Sequence, residues 1–225
     1  GAARPEPATE SARRRPDRAT ACGEIRLAEG LVQRLAGAGL SLERQGPREP
    51  FAAGAIAVGN TLLALSDGRT ATVRAAESGV RDLVVFDLAL DYASCTRLAV
   101  ARSDTCSDSA YGEAAGLLQA AGLAVSRVHD VAGLPVMRTV AMLANEAADA
   151  VVQGVASAHD IDVAMQKGVS YPRGPLAWAD AIGAAHVRDT LLNLGRHYGE
   201  DRYRVSPLIT RRCASGAPLA EPQRG

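Results

Sequence analysis

Aromatic side chains and long apolar runs are scarce in this sequence. Phe, Trp and Tyr together make up 4% of its 225 residues, so a core has to form from small aliphatic side chains in close contact. No run of about 18 apolar residues occurs, as a transmembrane helix would require. The N-terminal residues are rich in Arg and Pro and lack the apolar stretch of a signal peptide. We therefore expect a cytoplasmic protein without a membrane partner.

An excess of charge of one sign is also absent. Lys and Arg together number 25, as do Asp and Glu, and Lys167 is the only lysine. Nucleic acids and anionic membranes bind surfaces with a basic excess. The balanced charge therefore argues against nucleic acid as a partner.

Cysteine and histidine are few and show no metal-ligand pattern. The four cysteines are far apart and form no CxxC motif: Cys22, Cys95, Cys106 and Cys213. A chain of this length accommodates free buried thiols more readily than a disulfide framework. No two of the four histidines have the four-residue spacing of a helical metal site: His129, His159, His186 and His197. We therefore expect no bound metal.

Both ends of the chain have the composition of unstructured segments. Residues 1–21, GAARPEPATESARRRPDRATA, contain prolines and charges and almost no large apolar side chains. This composition is typical of a disordered tail or a linker. Residues 217–225 are similar. We interpret both segments as tails outside the folded domains.

Residues 22–130 alternate between helical and extended patterns. A helix is predicted over 24–35, where apolar residues recur at helical spacing. Short apolar runs predict buried parallel strands at 61–65 and 83–88, and 96–102 and 124–130 are a third and a fourth candidate strand. Crossover helices are predicted between them at 68–79 and 111–122. We therefore expect a small α/β domain over 22–130.

After Asp130 the pattern becomes helical throughout, and we place the domain boundary there. Residues 135–155 predict one long helix with small residues that permit another helix to pack closely. Ser157 and Asp160 have the spacing of a capping box at the start of a second helix. The segment SYPRGPLAWAD, 170–180, interrupts the chain before a further amphipathic helix. We expect an all-α domain over 131–216.

The α/β half lacks the glycine loops that hold nucleotide phosphates. GAGLSL, 37–42, follows a predicted helix and has Leu42 where a dinucleotide fingerprint needs its third glycine. GAIAVGN, 54–60, has neither the lysine nor the hydroxyl of a P-loop. We therefore expect a Rossmann-like scaffold that binds no cofactor.

Three polar residues near predicted strand ends are candidates for another kind of catalytic site. Asp87 and Asp91 follow an apolar run, and His129 ends the last predicted strand. Ligands often bind at such strand ends. The alternative for all three is a role in capping loops and turns. A GxSxG motif and a cysteine in the context of a nucleophile are both absent.

The all-α half resembles the C-terminal domain of the L-3-hydroxyacyl-CoA dehydrogenases. The resemblance covers roughly residues 131–216 and depends on these stretches: AGLPVMRTVAMLANEAADAV, DIDVAMQKG, SYPRGPLAWADAIG and YGEDRYRVSPLI. More loosely, residues 60–130 resemble the reduced Rossmann-like domain of two-module bacterial members, which are related to 3-hydroxybutyryl-CoA dehydrogenases. The resemblance implies a reduced Rossmann-like α/β domain followed by an all-α dimerisation domain.

The same resemblance implies that this chain is not itself catalytic. In active relatives an Asn–Arg pair stands near the start of the first helix, and the Asn supports the catalytic His and the substrate carbonyl. Here Arg138 is kept, but Met137 occupies the position of the Asn, and a thioether cannot donate a hydrogen bond. We expect Arg138 to form a salt bridge to Glu146, to Asp149 or to a neighbouring helix. The catalytic His–Glu pair and the NAD-binding fingerprint are expected in an upstream domain of the same protein.

Two functions remain open after this comparison. The first is the C-terminal part of an NAD-dependent 3-hydroxyacyl-CoA dehydrogenase of fatty-acid or phenylacetate-type oxidation, which forms a homodimer and part of the substrate cleft. The alternative is an acyl-CoA-binding module without redox activity. Residues implied in structure and dimerisation are Pro172, Gly174, Pro175, Trp178 and Asp180, and candidate substrate contacts are Arg69, Arg74, Arg138 and Arg173.

Overall fold

The computed structural model describes residues 8–48, 50–51 and 54–221. They belong to two compact units. The first comprises the residues up to Ser66 together with Thr70–Leu134, and the second comprises Asp67–Arg69 together with the residues from Pro135 onwards. The main division thus follows Leu134, whereas the sequence pattern placed it after Asp130.

One sheet of seven strands runs through the described part of the first unit. The strands are Arg18–Cys22 (β1), Ser41–Gln45 (β2), Ala55–Val58 (β3), Thr61–Leu65 (β4), Leu83–Phe86 (β5), Arg97–Arg102 (β6) and Ala124–Arg127 (β7). Their order across the sheet is β2-β1-β3-β4-β5-β6-β7. The pairs β1·β2, β4·β5 and β6·β7 are parallel, and the other three neighbouring pairs are antiparallel.

A helix connects the two strands of each parallel pair. These helices are Glu29–Gly37 (α1), Ala71–Ser78 (α2) and Asp108–Ala120 (α3). Every side chain of β4 and β5 is buried, as expected for central strands whose faces are both covered. Ser107 begins α3 by accepting a hydrogen bond from the Ala110 amide at 3.2 Å, which satisfies one of the open donors at the helix start.

The sequence pattern located β4 to β7 and missed β1 to β3. β4 has the predicted bounds, and β5, β6 and β7 begin within one residue of their predicted starts. The parallel direction predicted for the strands of β4·β5 is confirmed, β6·β7 is also parallel, and β5·β6 is antiparallel. β1, β2 and β3 were not predicted. The helix expected over 24–35 is a 3-10 turn, Arg26–Ala28, followed by α1.

The prediction of a disordered tail over residues 1–21 is wrong for its described part. Residues 18–21 belong to β1. Residues 8–17, here called the N-terminal strap, contact α3 and β7. The Glu10 amide donates to the Val125 carbonyl at 2.7 Å, and Gln119 accepts from the Arg13 amide at 2.8 Å. Residues 1–7 lie outside the described residues.

Gly116 of α3 provides the space in which the strap crosses the helix. A Cβ at this position would lie 2.2 Å from the carbonyl oxygen of Arg14. The strap backbone therefore approaches α3 more closely than any side chain would permit. Charged composition alone suggested disorder, but these backbone contacts hold the segment in place.

Five helices form most of the described second unit. They are Pro135–Val152 (α4), Ala158–Gly168 (α5), Pro175–Ile182 (α6), Ala184–Tyr198 (α7) and Pro207–Ser215 (α8), and a 3-10 turn, Asp201–Tyr203, precedes α8. α4 contacts the other four helices. The small side chains of Ala141, Ala144 and Ala148 are buried along it, as the sequence predicted for close helix packing. α4 ends at Val152, three residues before the predicted end.

Ser157 is confirmed as the N-cap of α5, although the Asp160 carboxylate accepts from the Ser157 hydroxyl where a full capping box uses the Ser157 amide. Ser157 Oγ accepts a hydrogen bond from the Asp160 amide at 3.1 Å and donates to the Asp160 carboxylate at 2.6 Å. Two polar groups at the helix start are thereby satisfied by neighbouring residues.

The predicted C-terminal tail over 217–225 is also wrong for its described part. The carboxylate of Asp180 accepts hydrogen bonds from the amides of Leu219 and Ala220 at 2.7 and 2.9 Å. The side chain of Leu219 is fully buried. Residues 217–221 are therefore part of the second unit, and residues 222–225 lie outside the described residues. No helix among the described residues combines the length and apolar character needed to cross a bilayer.

Candidate functional site

The turn between β4 and α2 is a position at which Rossmann-type folds bind phosphate, because the helix N-terminus offers unpaired amides. Here those amides are already bonded. The Asp130 carboxylate accepts hydrogen bonds from the amides of Ala71 and Thr72 at 2.6 and 2.8 Å. Thr70 Oγ1 accepts from the Val73 amide at 3.1 Å. A carboxylate of the chain itself therefore occupies the place of a phosphate.

The other two crossover helices also begin with acidic side chains. Glu29 stands in the first turn of α1 and pairs with Arg44. Asp108 stands in the first turn of α3 and pairs with Arg102. A negative side chain stabilises a helix N-terminus but repels a phosphate from it. The residues present thus do not fit the pyrophosphate of a dinucleotide at any of these three helix ends.

Asp87, Asp91 and His129 are not brought together. β5 ends just before Asp87 and runs antiparallel to β6, whereas β7 ends before His129 and runs parallel to β6. Asp87 and His129 therefore leave the sheet in opposite directions. Asp87 is buried and accepts from the Leu88 amide at 2.8 Å. Asp91 is exposed and accepts from Ala93 and Ser94, so both carboxylates serve loop structure.

Arg69 and Arg74 are already engaged within the protein. Arg69 forms an ion pair with Asp67. Arg74 is buried, its Nη1 donates to the carbonyl oxygen of Leu65 at 2.6 Å, and its guanidinium lies 4.9 Å from the centroid of the Phe51 ring. A substrate phosphate would have to displace these contacts to reach either side chain.

The Met137–Arg138 pair at the start of α4 has a packing role. Met137 is 0% exposed. Arg138 Nη1 donates to the Tyr198 hydroxyl at 3.1 Å, and Nη2 donates to the Tyr203 hydroxyl. The guanidinium also lies 4.6 and 5.5 Å from the centroids of these two rings, which adds cation–π attraction. Arg138 thus connects α4 to the end of α7 and to the 3-10 turn.

The salt bridge expected for Arg138 with Glu146, Asp149 or a neighbouring helix is wrong, because its partners on α7 and the 3-10 turn are tyrosine hydroxyls. Asp149 pairs instead with Arg204, at 2.5 Å, and Glu146 is exposed. Two tyrosines that are distant in sequence offer Arg138 both hydroxyl acceptors and aromatic faces. Their positions cannot be read from the spacing of charges along α4.

Asn145 has a structural role that the sequence did not reveal. It is buried in α4, where its Nδ2 donates to the Arg204 carbonyl at 2.9 Å and its Oδ1 accepts from the Ser206 amide at 2.8 Å. One side chain therefore satisfies two backbone groups of the segment before α8. A carboxamide within the buried stripe of an amphipathic helix was the available signal.

Asp162 caps the start of α6 and leaves no room for a side chain at Gly174. The Asp162 carboxylate accepts from the amides of Leu176 and Ala177 at 2.8 and 2.9 Å, which caps the N-terminus of α6. A Cβ on Gly174 would lie 2.2 Å from Asp162 Cγ. Pro175 is the first residue of α6, where a missing amide is no loss.

The other residues singled out in this segment lie around α6. Pro172 is exposed and Arg173 is half-buried before the helix. Trp178, the only tryptophan, is half-buried within it. The carboxylate of Asp180 accepts hydrogen bonds from the amides of Leu219 and Ala220.

Metal and thiol chemistry find no support in the described residues. No group of three His, Cys, Asp or Glu side chains among them is arranged to hold a metal ion. All four cysteines are unpaired, as predicted. Burial raises the pKa of Cys106 to about 11, and burial also raises the pKa of Cys95 and Cys213. These three thiols are therefore protonated and weakly nucleophilic at neutral pH.

Two domain families match the chain. Residues 63–131 match the 3-hydroxybutyryl-CoA dehydrogenase reduced Rossmann-fold domain, and residues 133–225 match the 3-hydroxyacyl-CoA dehydrogenase C-terminal domain. The two matches adjoin at the division between the compact units.

Individual relatives agree with these matches. Over 106 residues, 47% of this chain, the sequence is 48% identical to 3-hydroxyadipyl-CoA dehydrogenase of Escherichia coli K12. Over 88 residues, 39% of this chain, it is 35% identical to a probable 3-hydroxybutyryl-CoA dehydrogenase of Deinococcus radiodurans. The crystal structure of 3-hydroxybutyryl-CoA dehydrogenase from E. coli K12 superposes on 72% of this chain with a TM-score of 0.68 and 39% identity.

The chain covers only a minor part of these relatives. The matched regions are 22% of the E. coli 3-hydroxyadipyl-CoA dehydrogenase, 32% of the D. radiodurans protein and 34% of the E. coli crystal structure.

Proposed function

This chain belongs to the 3-hydroxyacyl-CoA dehydrogenase family, and we propose that it is the non-catalytic C-terminal module of a longer NAD-dependent 3-hydroxyacyl-CoA dehydrogenase. In this proposal the helical domain supports dimerisation and contributes to the cleft for the acyl-CoA substrate. The relatives' lengths favour a module, because the matched region is 22% of the E. coli 3-hydroxyadipyl-CoA dehydrogenase.

The observation that carries the proposal is the burial of Met137. The family resemblance implies a carboxamide here that supports the catalytic His and the substrate carbonyl. A fully buried thioether neither donates a hydrogen bond nor reaches a substrate. Arg138 beside it is held by Tyr198 and Tyr203. The helical domain thus has a buried thioether at the position where the family resemblance implies a carboxamide.

The cofactor of the full-length protein is proposed to bind in another domain. NAD supplies the hydride acceptor in this family, but its pyrophosphate does not fit the start of α2, where Asp130 bonds to Ala71 and Thr72. We propose an upstream NAD-binding domain of the same protein as the partner of this module.

The proposed reaction of the full-length enzyme oxidises a 3-hydroxyacyl-CoA to a 3-oxoacyl-CoA. The names of the matched relatives, 3-hydroxyadipyl-CoA and 3-hydroxybutyryl-CoA dehydrogenases, support this substrate class. A role in fatty-acid or phenylacetate-type oxidation follows as a proposal. The four unpaired thiols favour the reducing environment of the cytoplasm.

An activity assay tests the non-catalytic role. The purified chain is mixed with acetoacetyl-CoA and NADH, and the absorbance of NADH is followed. We expect no oxidation above the buffer rate, either for the wild-type chain or for Met137→Asn, because the variant restores the carboxamide but not the NAD site. Steady oxidation of NADH by the wild-type chain would contradict the proposal.

Dimerisation is supported by apolar side chains left exposed around α5. Val155, before α5, is 71% exposed, and Val163 and Val169 are 38% and 54% exposed. Light scattering after size exclusion measures the mass of the wild-type chain and of the double variant Val155→Asp/Val163→Asp. We expect a dimer and a monomer, respectively. Leu192→Asp, on α7 and 44% exposed in the wild type, is the matched control and should remain dimeric. A monomeric wild-type chain would contradict this part of the proposal.

Binding of acyl-CoA at the four arginines named from the sequence is disfavoured by the contacts of three of them. Arg69 and Arg74 are engaged with Asp67 and Leu65, and Arg138 is engaged with two tyrosines. Arg173 is the one candidate of the four for which the described residues show no such contact. Calorimetric titration with acetoacetyl-CoA distinguishes the two functions. Binding that is lost in Arg173→Gln would favour the acyl-CoA-binding module.

A further inference from the structure

The carboxyl ends of β6 and β7 enclose a cavity of about 480 Å³ that the proposed function does not use. Its walls are Arg102–Asp104, which follow β6, and Arg127–Asp130, which follow β7. Open α/β sheets bind ligands outside the carboxyl ends of parallel strands, and β6 and β7 are parallel. The cavity belongs entirely to the first unit.

Two guanidiniums in this cavity share one rigid support. Arg102 and Arg127 lie 5.7 and 5.1 Å from the ring centroid of Tyr111, and Tyr111 is buried in α3. Cation–π contact with an immobile ring restricts both side chains before a ligand arrives. Less conformational entropy is then lost on binding. His129 is exposed in the same wall and adds an imidazole donor.

Glu10 and Asp108 attract Arg127 electrostatically, but neither forms an ion pair with it, so nearby carboxylates compensate the charge of Arg127 only in part. Asp130 is bonded to the amides at the start of α2, and Asp108 pairs with Arg102. Arg127 has no ion pair with the carboxylates that the structure describes. Asp104 is exposed in the wall, so its negative charge opposes the binding of an anion.

We propose that this cavity binds a phosphate group through Arg102, Arg127 and His129. Donors on three side chains match the several terminal oxygens of a phosphate better than the two oxygens of a carboxylate. The phosphate is either free inorganic phosphate or part of a nucleotide, for which adenosine bisphosphate serves as the probe. A cavity of about 480 Å³ has the size of a small-molecule site. The anion is held here by side chains, not by a helix N-terminus.

Calorimetric titration of the whole chain at constant ionic strength tests the proposal. The ligands are inorganic phosphate, adenosine bisphosphate and adenosine. We expect binding of both phosphate-bearing ligands and no heat from adenosine. Tighter binding of adenosine bisphosphate than of inorganic phosphate identifies a nucleotide as the source, and equal binding identifies free phosphate. No heat from any ligand at concentrations up to about 20 mM would overturn the proposal.

Three variants test whether phosphate binding depends on the residues of this cavity or only on the overall charge of the protein. Arg127→Gln should weaken phosphate binding about tenfold or more, because a charge-assisted hydrogen bond is lost. Asp104→Asn should tighten it, because a repulsive charge is removed. Arg26→Gln, which changes an exposed arginine of the same unit, should leave it unchanged. If phosphate binds Asp104→Asn no more tightly than the wild type, the proposal is overturned, and this holds even if Arg127→Gln does not fold. Equal losses of phosphate binding in Arg26→Gln and Arg127→Gln would also overturn it.

Discussion

Replacing Asp130 with alanine removes the two short hydrogen bonds at the start of α2. The carboxylate accepts from Ala71 at 2.6 Å and from Thr72 at 2.8 Å. A hydrogen bond to a charged group contributes about 1.5–3 kcal/mol when it is buried. Asp130 is partly exposed, and replacing a capping side chain with alanine costs about 0.5–2 kcal/mol. We therefore expect Asp130→Ala to lower the free energy of unfolding by about 2 kcal/mol.

Differential scanning calorimetry measures this change. A loss of about 2 kcal/mol corresponds to a fall in Tm of about 4–8 °C for a protein of this size. Thr70→Ala is the matched control, because it removes one neutral bond to the same helix start and should cost about 1 kcal/mol. Asp130→Asn keeps one acceptor oxygen and should lie between Asp130→Ala and the wild type. A Tm of Asp130→Ala equal to that of the wild type would refute the statement that a carboxylate occupies this helix end.

Three further predictions concern packing, pH and thiols. A Cβ on Gly174 would overlap Asp162, whereas a Cβ on Gly112 would meet nothing within 4 Å. We therefore expect Gly174→Ala to lower the free energy of unfolding by about 2–4 kcal/mol and Gly112→Ala to raise it by about 0.5–1 kcal/mol. Urea titration measures both changes. Burial raises the pKa of Glu10, but hydrogen bonds from Arg13 and Tyr111 outweigh it and lower the pKa overall. The contribution of Glu10 to the free energy of unfolding is therefore present above the ordinary Glu pKa of about 4.3, and it is lost as pH falls through the lowered pKa. The stability difference between wild type and Glu10→Gln should vanish in acid, and a constant difference would contradict this. In a chromogenic thiol titration at neutral pH, the partly exposed Cys95 and Cys213 should react before the buried Cys22 and Cys106; equal rates for all four would be inconsistent with the fold.

The helical domain was predictable because most of its signals are local. The capping interaction of Ser157 with Asp160 and the stripe of small residues on α4 lie within a few residues of each other. The contacts that join the helices are not local. Asn145 bonds to residues 59 and 61 positions later, and Arg138 bonds to residues 60 and 65 positions later. Sequence spacing contains no information about such partners.

The N-terminal part of the sheet was missed for two physical reasons. β2 lies at the edge of the sheet and its side chains are largely exposed, so it has no apolar signature. The N-terminal strap has the composition of a disordered segment, but its backbone is held by groups on α3 and β7 more than a hundred positions later in the chain. Strand direction was also unreadable, because an apolar run such as β6 is compatible with parallel and antiparallel neighbours.

At the candidate site, too, the sequence revealed local features and not the contacts between residues that are far apart in the chain. His129 lies two residues after the end of β7, close to the strand end at which the sequence placed it. The role of Asp130 depends on amides at the start of α2, which are 58 and 59 positions earlier. Met137 was identified from family resemblance, and its complete burial required the structure.

Titration of the chain with NADH, followed by the fluorescence of the reduced nicotinamide, tests the central claim most directly. We expect the emission to rise only in proportion to added NADH, because Asp130 holds the amides at the start of α2. A saturable enhancement at micromolar NADH would show that this chain has its own dinucleotide site, and the assignment of a non-catalytic module would then be wrong.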